Sequence, residues 1–247
     1  MSRVAVVTGG SKGIGAAIVR RLAKNNMNIV INYLNSKDAA EKLKSEIISK
    51  GCFTGEIELY KADVSIEEEA SGLLNFAGTK FGTIDVLINN AGVSNGGPLF
   101  MKDLTDWWKT IQVNLGSTVN CTRASIPYFL KNGSGNIINI GSVAGLTGVL
   151  GNSDYASSKA ALVGFTKSMA RELVNHKITI NTVAPGFIAT DMVERMNPKR
   201  KKDLLAKIPA GRIGSASEVA ELVSLLASGS VNYILGQTIV IDGGVSM

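Results

Sequence analysis

Three side chains near the middle of the chain have types and a spacing suited to moving a proton. Ser142 ends an apolar run and is followed by a glycine-rich loop, and Tyr155 and Lys159 stand four residues apart beyond it. Positions i and i+4 of a helix share one face, so the phenol and the amine should project together. An ammonium beside a phenol favours the phenolate and lowers the phenol pKa towards neutrality. The pattern predicts that Tyr155 acts as a general acid.

A lone tyrosine–lysine pair at this spacing often arises by chance on helix surfaces, so a second site near the N-terminus matters. The apolar run Arg3–Thr8 leads into a turn with four glycines, residues 9–15, where an amphipathic helix begins. Glycines allow a sharp turn and a close approach of pyrophosphate, which the free N–H groups and positive dipole end of the helix attract. Strand, turn and helix in this order predict a dinucleotide site.

The second predicted strand, Asn28–Tyr33, bears on which dinucleotide is bound. Proteins that bind NAD usually place an acidic residue at the end of this strand, where it accepts a hydrogen bond from the ribose 2′-hydroxyl. Here the first acid is Asp38, already inside the next predicted helix. The groups that could hold a 2′-phosphate instead are Lys12, Asn35, Ser36 and Lys37. The sequence therefore favours NADP(H), and the alternative is that the two lysines are solvated surface residues.

Apolar runs alternate with helical patterns along the whole chain. The predicted strands are 3–8, 28–33, 57–62, 85–88, 136–140, 177–183 and 238–241. This alternation predicts an α/β fold, a Rossmann-type doubly wound parallel sheet of about seven strands with helices on both faces. The composition shows no linker, so we expect one domain over residues 1–247. Residues 187–210 interrupt the alternation of strands and helices and are predicted to form a mobile lid over the site.

Polar residues come directly after the carboxyl ends of several predicted strands. Asn89-Asn90-Ala91-Gly92 follows the fourth strand, and the carboxyl ends of parallel strands face the ligand crevice. Asp63, after the third strand, either lies in that crevice or simply ends the strand. The pattern from Ser65 to Glu68 predicts a capping box for the next helix. Asn114, a polar amide in an apolar helix, needs partners if it is buried.

The amino-acid composition argues against several classes of protein and several kinds of site. The net charge is +6 with dispersed basic residues, without the basic stripe and interleaved aromatics of a nucleic-acid surface, and it favours an anionic cofactor or acidic partner. No apolar run approaches the ~18 residues that span a bilayer, so we expect a cytoplasmic protein. The one histidine, His176, argues against a histidine triad or a histidine-rich metal site. Cys52 and Cys121 are expected to be buried or half-buried free thiols.

Together these segments resemble the short-chain dehydrogenase/reductase family. The resemblance covers the whole chain and rests on motifs in the right order: Thr8–Gly15, Asn89–Gly92, Asn114, Ser142, Tyr155–Lys159 and Pro185-Gly186. It implies that Tyr155 protonates a substrate carbonyl oxygen as hydride arrives from nicotinamide, while Ser142 orients that oxygen. It further implies that Lys159 lowers the Tyr155 pKa and binds the nicotinamide ribose. Asn114 would hold a water that links Lys159 to bulk solvent.

The resemblance also implies a set of cofactor contacts. They are Thr8, Gly9, Ser11, Lys12, Gly13, Ile14, Gly15, Asn35, Ser36, Asp63, Val64, Asn90, Ala91, Gly92, Tyr155, Lys159, Pro185, Gly186, Ile188 and Thr190. Within the family, segments 184–192, 208–214 and 241–244 look most like those of enzymes that reduce 3-oxoacyl thioesters on acyl carrier protein in fatty acid biosynthesis. Relatives are commonly tetramers, so a homotetramer is expected.

Two departures bear on the substrate. Residues 94–99 replace a Thr-Arg-Asp type of segment near the substrate entrance, and the arginine pair that docks carrier protein in bacterial relatives corresponds to Gly133 and His176. Lys131 and Lys177 lie beside them and would still attract an acidic carrier protein. The alternatives are a reductase of acetoacetyl-CoA, of a free ketone or of a sugar, or a cofactor-binding protein without catalysis. The apolar face of Leu162, Phe165 and Met169 would serve either the core or a subunit interface.

Overall fold

The computed structural model describes residues 2–189 and 205–247. Its strands are β1 (Val4–Val7), β2 (Asn28–Tyr33), β3 (Ile57–Lys61), β4 (Val86–Asn89), β5 (Gly135–Ile140), β6 (Ile178–Pro185), β7 (Ile188–Ala189), β8 (Gly214–Ser215) and β9 (Thr238–Ile241). Its α-helices are α1 (Gly13–Lys24), α2 (Lys37–Ser49), α3 (Glu67–Phe81), α4 (Leu104–Ile111), α5 (Ser117–Asn132), α6 (Ala144–Thr147), α7 (Ser153–Leu173) and α8 (Ala216–Ala227). Short 3₁₀ turns lie at Leu99–Met101 and Val174–His176, and a π-helical turn, Gln112–Gly116, joins α4 to α5.

The main sheet has seven parallel strands in the order β3-β2-β1-β4-β5-β6-β9. The chain builds outward from β1 to β3 and then returns to place β4 on the other side of β1. Ligands of such sheets bind outside the carboxyl ends of the strands at this switch point, here between β1 and β4. The predicted doubly wound α/β fold is confirmed, and β7 and β8 add a separate parallel pair.

The inner strands β1, β4, β5 and β6 are almost wholly buried because helices cover both faces of the sheet. Alternate residues of β1 enter opposite cores: Val7 joins the cluster with helices α1, α2 and α8, and Val6 joins the cluster with α3, α5 and α7. Leu162 is buried, and Phe165 and Met169 pack against the second cluster. The apolar face of α7 therefore serves the core of its own chain.

Two local predictions are wrong. Helix α3 begins at Glu67 after Ile66, without a side-chain cap, so the predicted capping box does not form. Asp63 closes this turn instead, because its Oδ1 accepts hydrogen bonds from both the N–H (3.0 Å) and the hydroxyl (2.6 Å) of Ser65. Cys52 is exposed, whereas Cys121 is buried as expected.

Over residues 2–189 and 205–247, no helix combines the length and the apolar character that crossing a bilayer requires.

Candidate active site

The residues predicted to transfer a proton line one cavity of about 350 Å³. Ser142 lies two residues beyond the end of β5, and Tyr155 lies in the first turn of α7. Both side chains line this cavity, and Ser142 Oγ accepts the N–H of Ala144 at 3.1 Å. The structure thus brings together two hydroxyls that stand 13 residues apart in the chain, facing one space.

The pKa of Tyr155 differs in direction from the sequence expectation. Burial raises it, and the neighbouring Ser142 hydroxyl opposes this only in part. Lys159 does not lower it as predicted, because its ammonium lies 5.7 Å from the centre of the Tyr155 ring and donates instead to the Ile140 carbonyl at 2.7 Å. Tyr155 therefore holds its proton firmly at neutral pH.

Lys159 is an ammonium group held in the interior. Its residue is 5% exposed, and burial lowers its pKa from 10.5 to about 8. It is therefore still mostly protonated at neutral pH. A Cβ at Gly92 would lie 3.6 Å from its Nζ, so the segment after β4 passes close to the amine.

Asn114 is fully buried in the π-helical turn, a distortion that often marks functional sites. Its Oδ1 accepts the N–H of Val93 at 2.7 Å, and its Nδ2 donates to the Val93 carbonyl at 3.0 Å and to the Ser158 hydroxyl at 2.9 Å. The predicted need of this amide for partners is confirmed. Asn114 thereby joins the segment after β4 to helix α7.

The glycine turn leaves the start of α1 open to an anion. Lys12 provides no side-chain cap, and the first turn holds no acidic residue, so the first N–H groups and the helix dipole are available to a ligand. A Cβ at Gly15 would lie only 2.4 Å from the Gly9 carbonyl oxygen. The Thr8 hydroxyl accepts the N–H groups of Asn90 (2.9 Å) and Ala91 (3.0 Å), which joins the ends of β1 and β4. This cradle fits a pyrophosphate.

The polar groups predicted to hold a 2′-phosphate lie at the turns that follow β1 and β2. The hydroxyls of Ser11 and Ser36 are 2.6 Å apart and link the two turns. Lys12 and Asn35 are exposed, whereas Lys37 is paired with Glu41 at 3.6 Å. Lys12 is therefore the freer of the two predicted cations.

The remaining predicted contacts fall into three groups. Ile14, Asn90, Gly92, Pro185, Gly186 and Ile188 line the cavity. Asp63 is half-buried with one carboxylate oxygen engaged by Ser65, and Val64 is buried in the core, which leaves it only main-chain atoms to offer. Thr190 and residues 190–204 of the predicted lid lie outside the described residues.

Sequence reasoning missed two residues that shape this site. A Cβ at Gly145 would lie 2.5 Å from the carbonyl carbon of Lys159, so glycine is what lets α6 rest on α7. Asn152 lines the cavity, and its Nδ2 donates to the Ser94 hydroxyl at 2.8 Å. The sequence offered one signal for these two residues, which is the glycine three positions after Ser142. The contacts of both residues are with segments distant in sequence, so local patterns do not reveal them.

The fold and the site belong to a known class. The family model described as short chain dehydrogenase matches residues 3–201. The chain belongs to this family of oxidoreductases, which use a nicotinamide cofactor.

Similar proteins carry a more particular name. The 3-oxoacyl-[acyl-carrier-protein] reductase of Synechocystis sp. is 43% identical over 247 residues, covering 100% of this chain and 98% of that protein. The 3-oxoacyl-[acyl-carrier-protein] reductase FabG of Staphylococcus aureus is 39% identical, covering 100% and 99%. FabG of Staphylococcus epidermidis is also 39% identical, covering 100% of both chains.

Proposed function

We propose that this protein reduces a 3-oxoacyl thioester to the 3-hydroxyacyl thioester with NADPH, as a step of fatty acid biosynthesis. The observation that carries the proposal is the meeting of the Ser142 and Tyr155 hydroxyls with the buried Lys159 in one cavity, which Asn90 and Gly92 connect to the glycine turn. The names of the similar proteins support the substrate class.

The chain's residues divide between holding the cofactor and handling a proton. The glycine turn and the start of α1 would hold the pyrophosphate, and Lys159 the nicotinamide ribose. When bound, the cofactor supplies the hydride. Ser142 orients the substrate oxygen, and Tyr155 donates its proton there as negative charge develops. Because burial raises the Tyr155 pKa, the phenol carries that proton at neutral pH.

Asn114 is proposed to support proton supply. Both of its amide N–H groups are used by Val93 and Ser158, while its Oδ1 accepts one hydrogen bond, from Val93. A carbonyl oxygen has two lone pairs, so one acceptor position remains for a water on the path to Lys159.

The choice of NADP(H) over NAD(H) is supported by the turn after β2. This turn offers no carboxylate to a ribose 2′-hydroxyl, and it places Asn35 and Ser36 beside Ser11 and Lys12 of the glycine turn. A 2′-phosphate would meet hydroxyl, amide and ammonium donors there, without repulsion from an acid.

The carrier of the acyl group is proposed to be acyl carrier protein, with acetoacetyl-CoA as the second candidate. Two residues favour acetoacetyl-CoA, because they stand where bacterial relatives have the arginines that dock carrier protein. These residues are Gly133, which follows the end of α5 and has no side chain, and the exposed His176. Lys131 and Lys177 are exposed beside them and favour the acidic carrier protein.

We also propose a cytoplasmic homotetramer. Support for assembly comes from large apolar side chains exposed in and before α4: Phe100 is 88% exposed, Leu104 62% and Trp108 63%. Large exposed apolar side chains of this kind are common at interaction sites. The molar mass in solution, measured by light scattering, tests the assembly.

A substrate panel tests the reaction. Purified protein is mixed with acetoacetyl-carrier protein, acetoacetyl-CoA or a simple ketone, each with NADPH and with NADH, and loss of the reduced-cofactor absorbance is followed. We expect fastest turnover of the carrier-protein thioester with NADPH. Turnover of ketones alone, a preference for NADH, or no turnover at all would each contradict the proposal.

A further inference from the structure

A buried ion pair lies beside the proposed proton donor. Asp154, the residue before Tyr155, has a side chain that is 0% exposed, and that of Lys102 is 7% exposed. The Lys102 ammonium donates to Asp154 Oδ2 and also to the main-chain carbonyl of Asn95. A buried charged pair costs desolvation energy, and loss of one partner leaves an uncompensated charge. Its presence here therefore needs a reason.

The reason lies in the segment that Lys102 holds. Residues 93–97, which we call the wall segment, have no regular secondary structure, and Val93 and Ser94 line the cavity with Tyr155. Backbone groups without a ladder need other partners. The Asn114 side chain is one such partner, because it bonds both the N–H and the carbonyl of Val93. The Gly151 carbonyl is another, because it accepts the Gly97 N–H at 2.7 Å.

Each of these anchors leads to the start of α7 or to the residues just before it. Asn114 bonds Ser158, Asn152 bonds Ser94, and Lys102 bonds Asp154. Among them, Lys102 is the one that brings a formal charge. The wall segment and the first turn of α7, which carries Tyr155, are thus fastened to each other.

Asp154 is well placed to remain charged. Burial by itself would raise its pKa, but the hydrogen bond and the positive charge of Lys102 help to keep it below its ordinary value. It also lies in the first turn of α7, where the helix dipole favours a negative charge. The Asp154 carboxylate is therefore charged at neutral pH, as an ion pair with Lys102 requires.

We infer that Lys102 and Asp154 are positioning residues, a buried clamp that fixes the wall segment relative to Tyr155 and so orients the oxoacyl group. This inference rests on the proposed function for its substrate. Neither residue lines the cavity, so neither is a catalytic residue. Their effect passes through Asn95 and the first turn of α7.

Kinetics of Lys102→Met provide the first test. Loss of the tether should leave the wall segment free to move, which weakens its contribution to binding and orienting the oxoacyl group. We expect the substrate KM to rise at least about tenfold, with kcat reduced less than about threefold and NADPH affinity unchanged. Asp154→Asn keeps a hydrogen-bond acceptor for Lys102 but leaves its ammonium without a counter-charge, so its kcat/KM should lie between those of wild type and Lys102→Met. Lys50→Met, which removes an exposed ion pair with Glu46, is the matched control.

Hydrogen–deuterium exchange provides a readout that needs no substrate. In cofactor-free Lys102→Met, amide exchange at residues 93–97 should be at least about tenfold faster than in wild type, with the α3 amides unchanged. If wild type reduces no thioester, the proposed function fails, while this measurement still decides whether the clamp exists. Unchanged exchange together with wild-type kinetics would overturn the inference.

A double variant covers the case in which Lys102→Met does not fold. Lys102→Met with Asp154→Leu leaves no charge buried alone, and such replacements are often tolerated. We expect it to fold with fast exchange at residues 93–97 and a raised KM. A folded double variant with wild-type exchange and KM would contradict the clamp.

Discussion

The Lys159 ammonium donates a hydrogen bond to the main-chain carbonyl of Ile140, the last residue of β5, over 2.7 Å. This bond fastens α7 to the end of the sheet, two residues before Ser142. It also explains why the amine does not lower the Tyr155 pKa, since its hydrogen bond is directed at the strand and away from the phenol. Burial of the ammonium is the cost of this position, and it lowers the Lys159 pKa to about 8.

The first prediction concerns stability and pH. In the cofactor-free wild type, the Lys159 pKa lies below its unfolded value, so the unfolded state binds more protons between about pH 8 and 10.5. Stability should be lowered in full below pH 8 and recover as pH rises through this window. The difference between 10.5 and about 8 corresponds to roughly 3 kcal/mol.

Urea unfolding of wild type and Lys159→Met over pH 7 to 11 checks this. The substitution also leaves the Ile140 carbonyl without its donor, but that loss does not depend on pH. The stability of wild type relative to the variant should therefore increase across the window. Parallel curves would show that Lys159 is not held at a lowered pKa.

The second prediction concerns proton transfer. Tyr155→Phe removes the proposed proton donor, and general acid catalysis contributes about 10²- to 10⁴-fold, so kcat should fall by a factor in that range. Ser142→Ala removes one hydrogen bond to the developing oxyanion and should cost about 10²- to 10³-fold in kcat.

Cofactor affinity, measured by NADPH fluorescence, is the control for Ser142→Ala, because Ser142 is not among the expected cofactor contacts. It should stay within about twofold of wild type. Full activity in Tyr155→Phe would remove the proposed mechanism.

The third prediction concerns the glycine turn. Gly15→Ala would place its Cβ 2.4 Å from the Gly9 carbonyl oxygen, a main-chain atom that cannot turn aside. We expect destabilisation of about 1–3 kcal/mol and a marked loss of NADPH affinity.

Gly164→Ala is the matched control on α7. A Cβ there meets nothing within 4 Å, so alanine should be neutral or stabilise the helix by up to about 1 kcal/mol. Thermal unfolding and cofactor titration compare the two variants, and equal behaviour would contradict the close approach at Gly15.

The fourth prediction concerns cofactor choice. Lys12→Ala should raise the KM for NADPH about tenfold and leave that for NADH unchanged, because only NADPH carries the 2′-phosphate. Lys37→Ala should have a smaller effect, since that lysine is paired with Glu41. The preference for NADPH should also weaken as salt screens the exposed Lys12. Equal losses with both cofactors would place Lys12 elsewhere in the site.

Much of the fold could be predicted because its signals are local. The bounds of β2 and β9 agree with those predicted, since each strand is a mainly apolar run followed by turn residues. The grouping of Ser142, Tyr155 and Lys159 in one cavity could also be predicted, from the residue types and from the helical spacing of Tyr155 and Lys159.

What the tertiary structure decided are contacts between distant segments and the burial that accompanies them. The carboxylate of Asp154 meets Lys102 across 52 residues, and the turn after β3 closes on Asp63 where a capping box was predicted. The direction of the Tyr155 pKa belongs here too, because desolvation depends on everything packed around the phenol. A sequence specifies which groups can ionise or bond, but only the packed chain fixes how near their partners lie and how much water remains.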